Sequence, residues 1–416
     1  MKLDRRWLRL EDVAIVDPRE WLMRTLPTLI REDNDTAAAV ARLDLPPLTL
    51  QIEGEADSNV ELRTTLAVED GRWVLDGSAE GALVVTISTA AFSDWINWIA
   101  NVQRLTLSGD MTYSGRSLWT LFAWELVLRS LVHGVPVHEP GSIGFRDLHG
   151  DPLDLHRTFT PDDAPDEVAH FLREAGYLHL RGWLDPADMA IIAADMDRAV
   201  THYSRGDGRS WWATLESGDE VCVRMLQFAQ FSERTVEILN SETWNQLREV
   251  LAADEQLVAR TGTSVIEGLF KPIGVAEGIS DVPWHRDCAF GGHPYQCGGL
   301  TIGISVTEGT AESGLLRVVA GSHRAATLDD PAWRGNDLPV IPLPTATGDL
   351  TVHIACTVHE ALPPTVRPRK VMYTGFGLPD AHDARKAGAL PVRDVRNEAH
   401  LLTSQPKNHT RTSVSN

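Results

Sequence analysis

The tripeptide His285-Arg286-Asp287, within Trp284-His285-Arg286-Asp287-Cys288, is the stretch whose residue types could do chemistry. In an extended strand successive side chains point to opposite faces, so His285 and Asp287 share a face and Arg286 takes the other. One imidazole and one carboxylate then stand side by side. A second histidine from elsewhere would complete the two-histidine, one-carboxylate facial triad, which holds Fe(II) by three positions and leaves others open for substrate and oxygen. The tripeptide alone carries little weight, because 15 histidines in 416 residues generate such pairs by chance. Its meaning depends on the elements around it.

From Ser264 onward those elements read as strands. Val265-Ile266 and Leu269-Phe270-Lys271-Pro272 precede the tripeptide. Leu300-Thr301-Ile302-Gly303-Ile304-Ser305-Val306 is a continuous apolar run. Then come Gly314-Leu315-Leu316-Arg317-Val318-Val319-Ala320-Gly321-Ser322-His323-Arg324 and a segment from Gly348-Asp349 through His353 to His359. The last strand runs from Arg367-Pro368-Arg369-Lys370 to Phe376. Upstream, residues 166–175 read as a helix closed by Gly176, Tyr177 opens a short strand, and Pro186 starts a helix over 187–200. His170 and His179 fall at ordinary helix and strand positions. Residues 201–235 are rich in Gly, Ser and aromatics, and Trp211, Trp212, Arg224 and Gln227 are candidates for a substrate mouth.

These pieces, in this order, resemble the phytanoyl-CoA dioxygenase family of Fe(II)/2-oxoglutarate oxygenases over roughly residues 155–380. The resemblance implies a double-stranded β-helix, a jelly-roll barrel with flanking helices. It implies His285, Asp287 and His359 as iron ligands. In that family the distal histidine follows the Gly-Asp aspartate by ten residues, which selects His359 over His353. The 2-oxoglutarate arginine follows by about ten more, which gives Arg369, with Arg367 as runner-up. A guanidinium suits that role because its fork donates two parallel hydrogen bonds to a carboxylate. The cofactor set implied is Fe(II), 2-oxoglutarate as co-substrate, and O2. Related iron halogenases replace the ligand carboxylate with a small residue, so Asp287 points to hydroxylation. Ser322, His323 and Arg324 are expected to form turns or support the site and not to bind metal. No counterpart stands out for some polar residues with which the family holds 2-oxoglutarate, and strand 300–306 is more apolar than expected there.

The first third of the chain carries a different pattern. Alternating runs at 48–52, 60–68, 73–75 and 82–87 read as antiparallel strands, with Glu69-Asp70-Gly71-Arg72 as a hairpin turn. A helix follows over 91–101, with Phe92, Trp95, Ile96 and Ile99 on one face. Leu105-Thr106-Leu107-Ser108-Gly109-Asp110 reads as a returning strand, and 116–132 as a second amphipathic helix. This α+β order resembles the sterol carrier protein 2-like domain. The resemblance implies an apolar tunnel, in which Phe92, Trp95, Trp98, Trp119, Phe122 and Trp124 line a lipid cavity; the same spacing also suits plain core. The expected organisation is a two-domain chain: 1–140 sterol carrier protein 2-like, 141–165 a Pro- and Gly-rich linker, 166–400 the oxygenase domain, and 401–416 a polar tail.

Composition narrows the partners. The formal net charge of −20 disfavours nucleic acid, whose phosphates need a basic surface. The most apolar long stretch, 118–132, contains Glu125 and Arg129 and is too short for a membrane span. The N-terminus has no apolar signal region, and Cys222, Cys288, Cys297 and Cys356 show no CxxC spacing, which fits reduced thiols and a cytoplasmic setting. The leading expectation is a hydroxylase acting on a hydrophobic small molecule such as a lipid, acyl-CoA, sterol or terpenoid. The alternative is a lipid carrier whose oxygenase fold is only a scaffold. Homo-oligomerisation is left open by the sequence.

Overall fold

The computed structural model describes residues 14–377, apart from 34, 55–61, 99, 252–257, 260–265, 279–280, 288–298 and 334. Ser264, Val265, Cys288, Cys297, the 378–400 end of the expected second domain and the 401–416 tail lie outside the described residues.

The N-terminal part is built on a five-stranded sheet. Its strands are β1 (Leu48–Glu53), β2 (Leu62–Glu69), β3 (Arg72–Leu75), β4 (Leu83–Ser88) and β5 (Met111–Ser114), in the order β3-β2-β1-β4-β5. β1 and β4 run parallel and the other neighbours antiparallel. The helices Thr89–Ile96 and Leu118–His133 pack against it. Ser88 caps the first by accepting a hydrogen bond from the Ala91 amide at 3.2 Å. The strand expected at 105–110 is instead a helix, Val102–Ser108, and β5 starts only at Met111. Its start and stop signals are both local. The Asn101 side chain accepts from the Arg104 amide, and Gly109 closes the helix in the left-handed region at φ 79°. The alternation of Leu105, Thr106 and Leu107 imitates a strand, but the caps decide the outcome.

The six aromatics grouped as a lipid lining occupy different settings. Phe92, Trp95 and Trp124 are fully buried in the packed core. Trp98 lies under the Arg129 guanidinium, and Trp119 faces Trp333 of the following domain with ring centroids 6.4 Å apart. Phe122 packs at the same junction. A cavity beside Trp95, Trp98 and His133 measures about 10 Å³, room for one water-sized sphere.

The second part carries β6 (Tyr177–Leu180), β7 (Ser210–Leu215), β8 (Glu220–Met225), β9 (Val258–Ala259), β10 (Glu267–Lys271), β11 (Val275–Glu277) and β12 (Val282–His285). They are followed by β13 (Gly299–Ser305), β14 (Leu316–Val319), β15 (Val340–Leu343), β16 (Leu350–Ile354), β17 (His359–Ala361) and β18 (Arg369–Gly377). One sheet runs β11-β7-β8-β10-β18-β13-β16-β6, with β9 on β18, and a four-stranded sheet runs β12-β17-β14-β15. From β12 onward the chain crosses repeatedly between the two sheets, which is the jelly-roll arrangement. Alternation sorts the faces. Leu300, Ile302, Ile304, Met372 and Phe376 turn outward and are buried under the helices Pro165–Ala175 and Pro186–Ala199. Each such fully buried side chain contributes roughly 1.5–3 kcal/mol by leaving water. The alternate residues Thr301, Gly303, Ser305, Arg369, Val371 and Tyr373 therefore face the interior between the sheets.

Gly176 shows how the opening helix is tied to this barrel. It closes Pro165–Ala175 at φ 87°, and a Cβ there would lie 2.4 Å from His323 Nδ1 and 2.6 Å from Thr357 Oγ1. No helix among the described residues is long and apolar enough to cross a membrane.

Candidate metal centre

His285 ends β12 and His359 begins β17, and the two strands pair so that these residues stand directly opposite. A bulge between Val282 and His285 interrupts the ladder just before the site. Asp287 lies two residues past the end of β12, in 3-10 conformation and not in an extended strand, so strand alternation does not place it. It still reaches the same side as His285. Each histidine has Nδ1 against a backbone carbonyl: His285 on Pro283 O at 2.7 Å, His359 on Thr357 O at 2.9 Å. A carbonyl only accepts, so Nδ1 carries the proton and Nε2 presents its lone pair. Both Nε2 atoms lie 3.6 Å from Asp287 Oδ1, and the three ligand atoms fall within 4.8 Å of one another. Two neutral imidazoles and one carboxylate oxygen form a donor set that fits a first-row divalent ion.

The second carboxylate oxygen is held separately. Asp287 Oδ2 accepts from Thr301 Oγ1 at 2.6 Å and stands 3.1 Å from His353 Nε2. His353 is the competitor for the distal ligand, and its place on Oδ2 sets it beside the donor group and not in it. Burial pushes the Asp287 carboxyl up. The contacts with His359, His285 and His353 outweigh this and hold it well below the usual carboxylate range.

Arg369 opens β18 and pairs across the sheet with Lys271, the last residue of β10. Both are buried, at 3% and 5% exposure. Both point at one carbonyl: Arg369 Nη1 donates to Gly314 O at 2.7 Å, and Lys271 Nζ stands 3.4 Å from it while also bonding Leu362 O. Arg369 Nε has no partner among the described residues, and neither cation has a carboxylate within ion-pair reach among them. Burial lowers the Lys271 ammonium well below its ordinary value, and the adjacent Arg369 charge lowers it further. Burial also depresses Arg369. The charges of Asp281 and Glu360 offset only part of the effect on Lys271, so its charged form is disfavoured beside the Arg369 guanidinium, and an anion seated between the two would favour it. Lys271 escaped the sequence reading; its only signal is the pairing of Leu269-Phe270-Lys271 with Arg369, which sequence alone does not give. Arg367 lies outside, exposed, and paired with Glu308 and Glu312.

Other interior residues surround these groups. Arg224 forms an ion pair with Glu267 and lies 4.3 Å from the Trp211 ring. Tyr373, opposite Glu267 and Gly303 in its ladders, has its hydroxyl pushed up by burial and feels both the Arg369 and the Asp287 charges. Trp211 and Arg224 are thus brought to the interior. Trp212 instead donates to Ser210 Oγ and packs against the core, and Gln227 sits in a left-handed turn at φ 60°. Ser322, His323 and Arg324 make turn and helix contacts: Ser322 Oγ to Val319 O, His323 to Arg173 O, and Arg324 to Gly144 O and Glu174.

Residues 172–371 match the family model for phytanoyl-CoA dioxygenase (PhyH). The matched span contains His285, Asp287, His359, Lys271 and Arg369 and begins after the N-terminal sheet. No curated protein matches the sequence. Among solved structures, the chain is similar to AviO1 from Streptomyces viridochromogenes, at 24% identity over 52% of this chain and 96% of that one, with a TM-score of 0.42. It is also similar to SnoN, the non-heme alpha ketoglutarate dependent epimerase from nogalamycin biosynthesis, at 23% identity over 51% and 80%, TM-score 0.40. A third is EvdO2 from Micromonospora carbonacea var. aurantiaca complexed with 2-oxoglutarate, at 20% identity over 50% and 89%, TM-score 0.37.

Proposed function

We propose that the chain is an Fe(II)/2-oxoglutarate-dependent oxygenase that hydroxylates a small molecule with a largely apolar body. The observation that carries this reading is the pairing of two features in one barrel. The Nε2 atoms of His285 and His359 converge on Asp287 Oδ1, and two buried basic side chains, Lys271 and Arg369, stand side by side with no carboxylate in ion-pair contact among the described residues and with Arg369 Nε unpartnered among them. The first suits Fe(II). The second suits the distal carboxylate of a dicarboxylate co-substrate.

In this reading, iron supplies the oxidising chemistry: one oxygen atom of O2 enters succinate as 2-oxoglutarate loses CO2, and the other enters the substrate as hydroxyl. The protein's part is positional. His285 and His359 present lone pairs because backbone carbonyls hold their Nδ1 protons. Thr301 and His353 fix Asp287 by its far oxygen. Arg369 and Lys271 orient 2-oxoglutarate from its distal end. Leu269 and Val371 face the interior beside the co-substrate pocket, and Trp211 offers an aromatic face for the substrate. The N-terminal domain enters as a packed structural body, since Phe92, Trp95 and Trp124 fill its core and Trp119 and Phe122 sit at the domain junction.

Succinate formation tests the proposal. Wild type given Fe(II), O2 and 2-oxoglutarate is expected to form succinate slowly without substrate and faster with a productive one. Arg369→Ala is expected to raise the 2-oxoglutarate KM at least tenfold. Absence of succinate under all conditions, with iron bound, would favour the scaffold alternative.

A further inference from the structure

Arg286 lies between two iron-ligand candidates but faces away from them, and it makes five hydrogen bonds among the described residues. Its Nε donates to Cys356 O at 2.9 Å, three residues before His359. Its Nη1 donates to Thr327 O at 2.9 Å and pairs with Asp329. Its Nη2 reaches Thr327 Oγ1 at 2.5 Å and Ser322 O at 3.4 Å. Ser322 in turn accepts through Oγ from the Val358 amide at 2.8 Å. Both ligand-bearing segments, 285–287 and 356–359, are therefore tied to one strap, residues 322–329.

That strap is seated on the N-terminal domain. Ala326 and Leu328 pack against Ala123 and Leu126 of the helix Leu118–His133. The backbone just past that helix clasps the strap: the Ala326 amide donates to Pro136 O at 2.8 Å, and the His138 amide donates to Ala326 O at 2.9 Å. The contact runs without a break from the N-terminal helix, through the strap, to Arg286 and the backbone beside His285, Asp287 and His359.

We propose that the N-terminal domain is the back wall of the metal centre, and that Arg286 is the positioning residue through which it sets the ligand geometry. The inference rests on the metal reading above and adds to it a role for the first 140 residues that requires no bound lipid. An arginine is suited to the task because its rigid fork engages several acceptors at once, which a lysine cannot do. Groups that orient metal ligands commonly matter about 10–100-fold in affinity.

The test uses the full chain, metal-free, titrated with Co(II) as an air-stable probe. It follows the dissociation constant, the visible ligand-field spectrum and the melting temperature of the metal-free protein. Arg286→Gln is expected to weaken Co(II) about 10–100-fold and to change the spectrum. Leu126→Ala, in the N-terminal domain, is expected to weaken Co(II) severalfold with a spectral change in the same direction. The double variant should be no worse than Arg286→Gln alone, because both act along one route. Should Leu126→Ala fail to fold, Leu126→Val reads the same effect on a smaller scale. A Leu126 variant that lowers the melting temperature but leaves affinity and spectrum unchanged overturns the proposal. So does full additivity in the double variant. Wild type that binds no Co(II) takes down the metal reading together with this one, whereas tight wild-type binding with unaffected variants defeats this one alone.

Discussion

Thr301 and His353 stand opposite each other across β13 and β16, and both reach the same oxygen of Asp287, at 2.6 Å and 3.1 Å. The carboxylate is thereby split in function. Oδ2 is committed to the sheet, and Oδ1 is left to meet His285 and His359. A carboxylate held by one oxygen keeps its orientation before any metal arrives, which lowers the ordering cost of binding.

Thr301→Val keeps the shape and removes the donor. The expected result is metal affinity about tenfold weaker, with a small change in the stability of the metal-free protein. Isothermal titration with Co(II) checks it. Unchanged affinity would mean that Asp287 is positioned by other groups.

Lys271 predicts proton uptake when 2-oxoglutarate binds. In the anion-free protein burial, then Arg369, disfavours the ammonium, so the unfolded chain binds more protons than the folded one between the depressed value and 10.5. Stability of the anion-free protein should therefore rise with pH through that window. A bound carboxylate restores the charge, so affinity should fall as pH rises through it. Calorimetry in buffers of different ionisation enthalpy measures the uptake. Lys271→Met should abolish it, weaken 2-oxoglutarate, and leave the anion-free protein as stable as wild type or more so.

Glu125 predicts a second pH dependence, in the N-terminal domain. It is buried, accepts from the Val102 amide at 2.6 Å and Trp95 Nε1 at 3.1 Å, and is pushed by burial from 4.5 up to about 7. A raised carboxyl contributes stability below its unfolded value that is lost as pH rises through its folded value. The loss expected between pH 4.5 and 7 is roughly 3 kcal/mol. Glu125→Gln keeps an acceptor and should flatten the profile, so that the variant exceeds wild type above pH 7. Urea unfolding at a series of pH values measures it, and parallel profiles would count against a protonated Glu125.

The structure shows which of these features local sequence can carry. His285 and Asp287 are visible as a tripeptide but gain weight only from the strands around them, and the preference for His359 over His353 comes from the spacing that the phytanoyl-CoA dioxygenase resemblance implies. Lys271 and Thr301 are legible only once strand pairing is known, since their meaning comes from Arg369 and His353 across a ladder. The run 300–306 reads as apolar because Leu300, Ile302 and Ile304 dominate it, yet those three face the helices and Thr301 and Ser305 face the site. The helix Val102–Ser108 was hidden by a three-residue alternation, although its Asn cap and Gly stop were both present. Arg286 carries no signal at all, because its partners, the 322–329 strap and the Cys356 carbonyl, are brought near only by tertiary packing.

In the proposed enzyme one barrel would hold iron by His285, Asp287 and His359 and 2-oxoglutarate by Arg369. An anaerobic titration of the metal-free protein with Fe(II), then 2-oxoglutarate, reads both at once through the visible charge-transfer band of the chelate. Wild type should develop the band, His285→Ala should lose it, and Arg369→Ala should form it only at much higher 2-oxoglutarate. A wild type that binds no iron, or binds it and shows no band with 2-oxoglutarate, would rule out this assignment of the site.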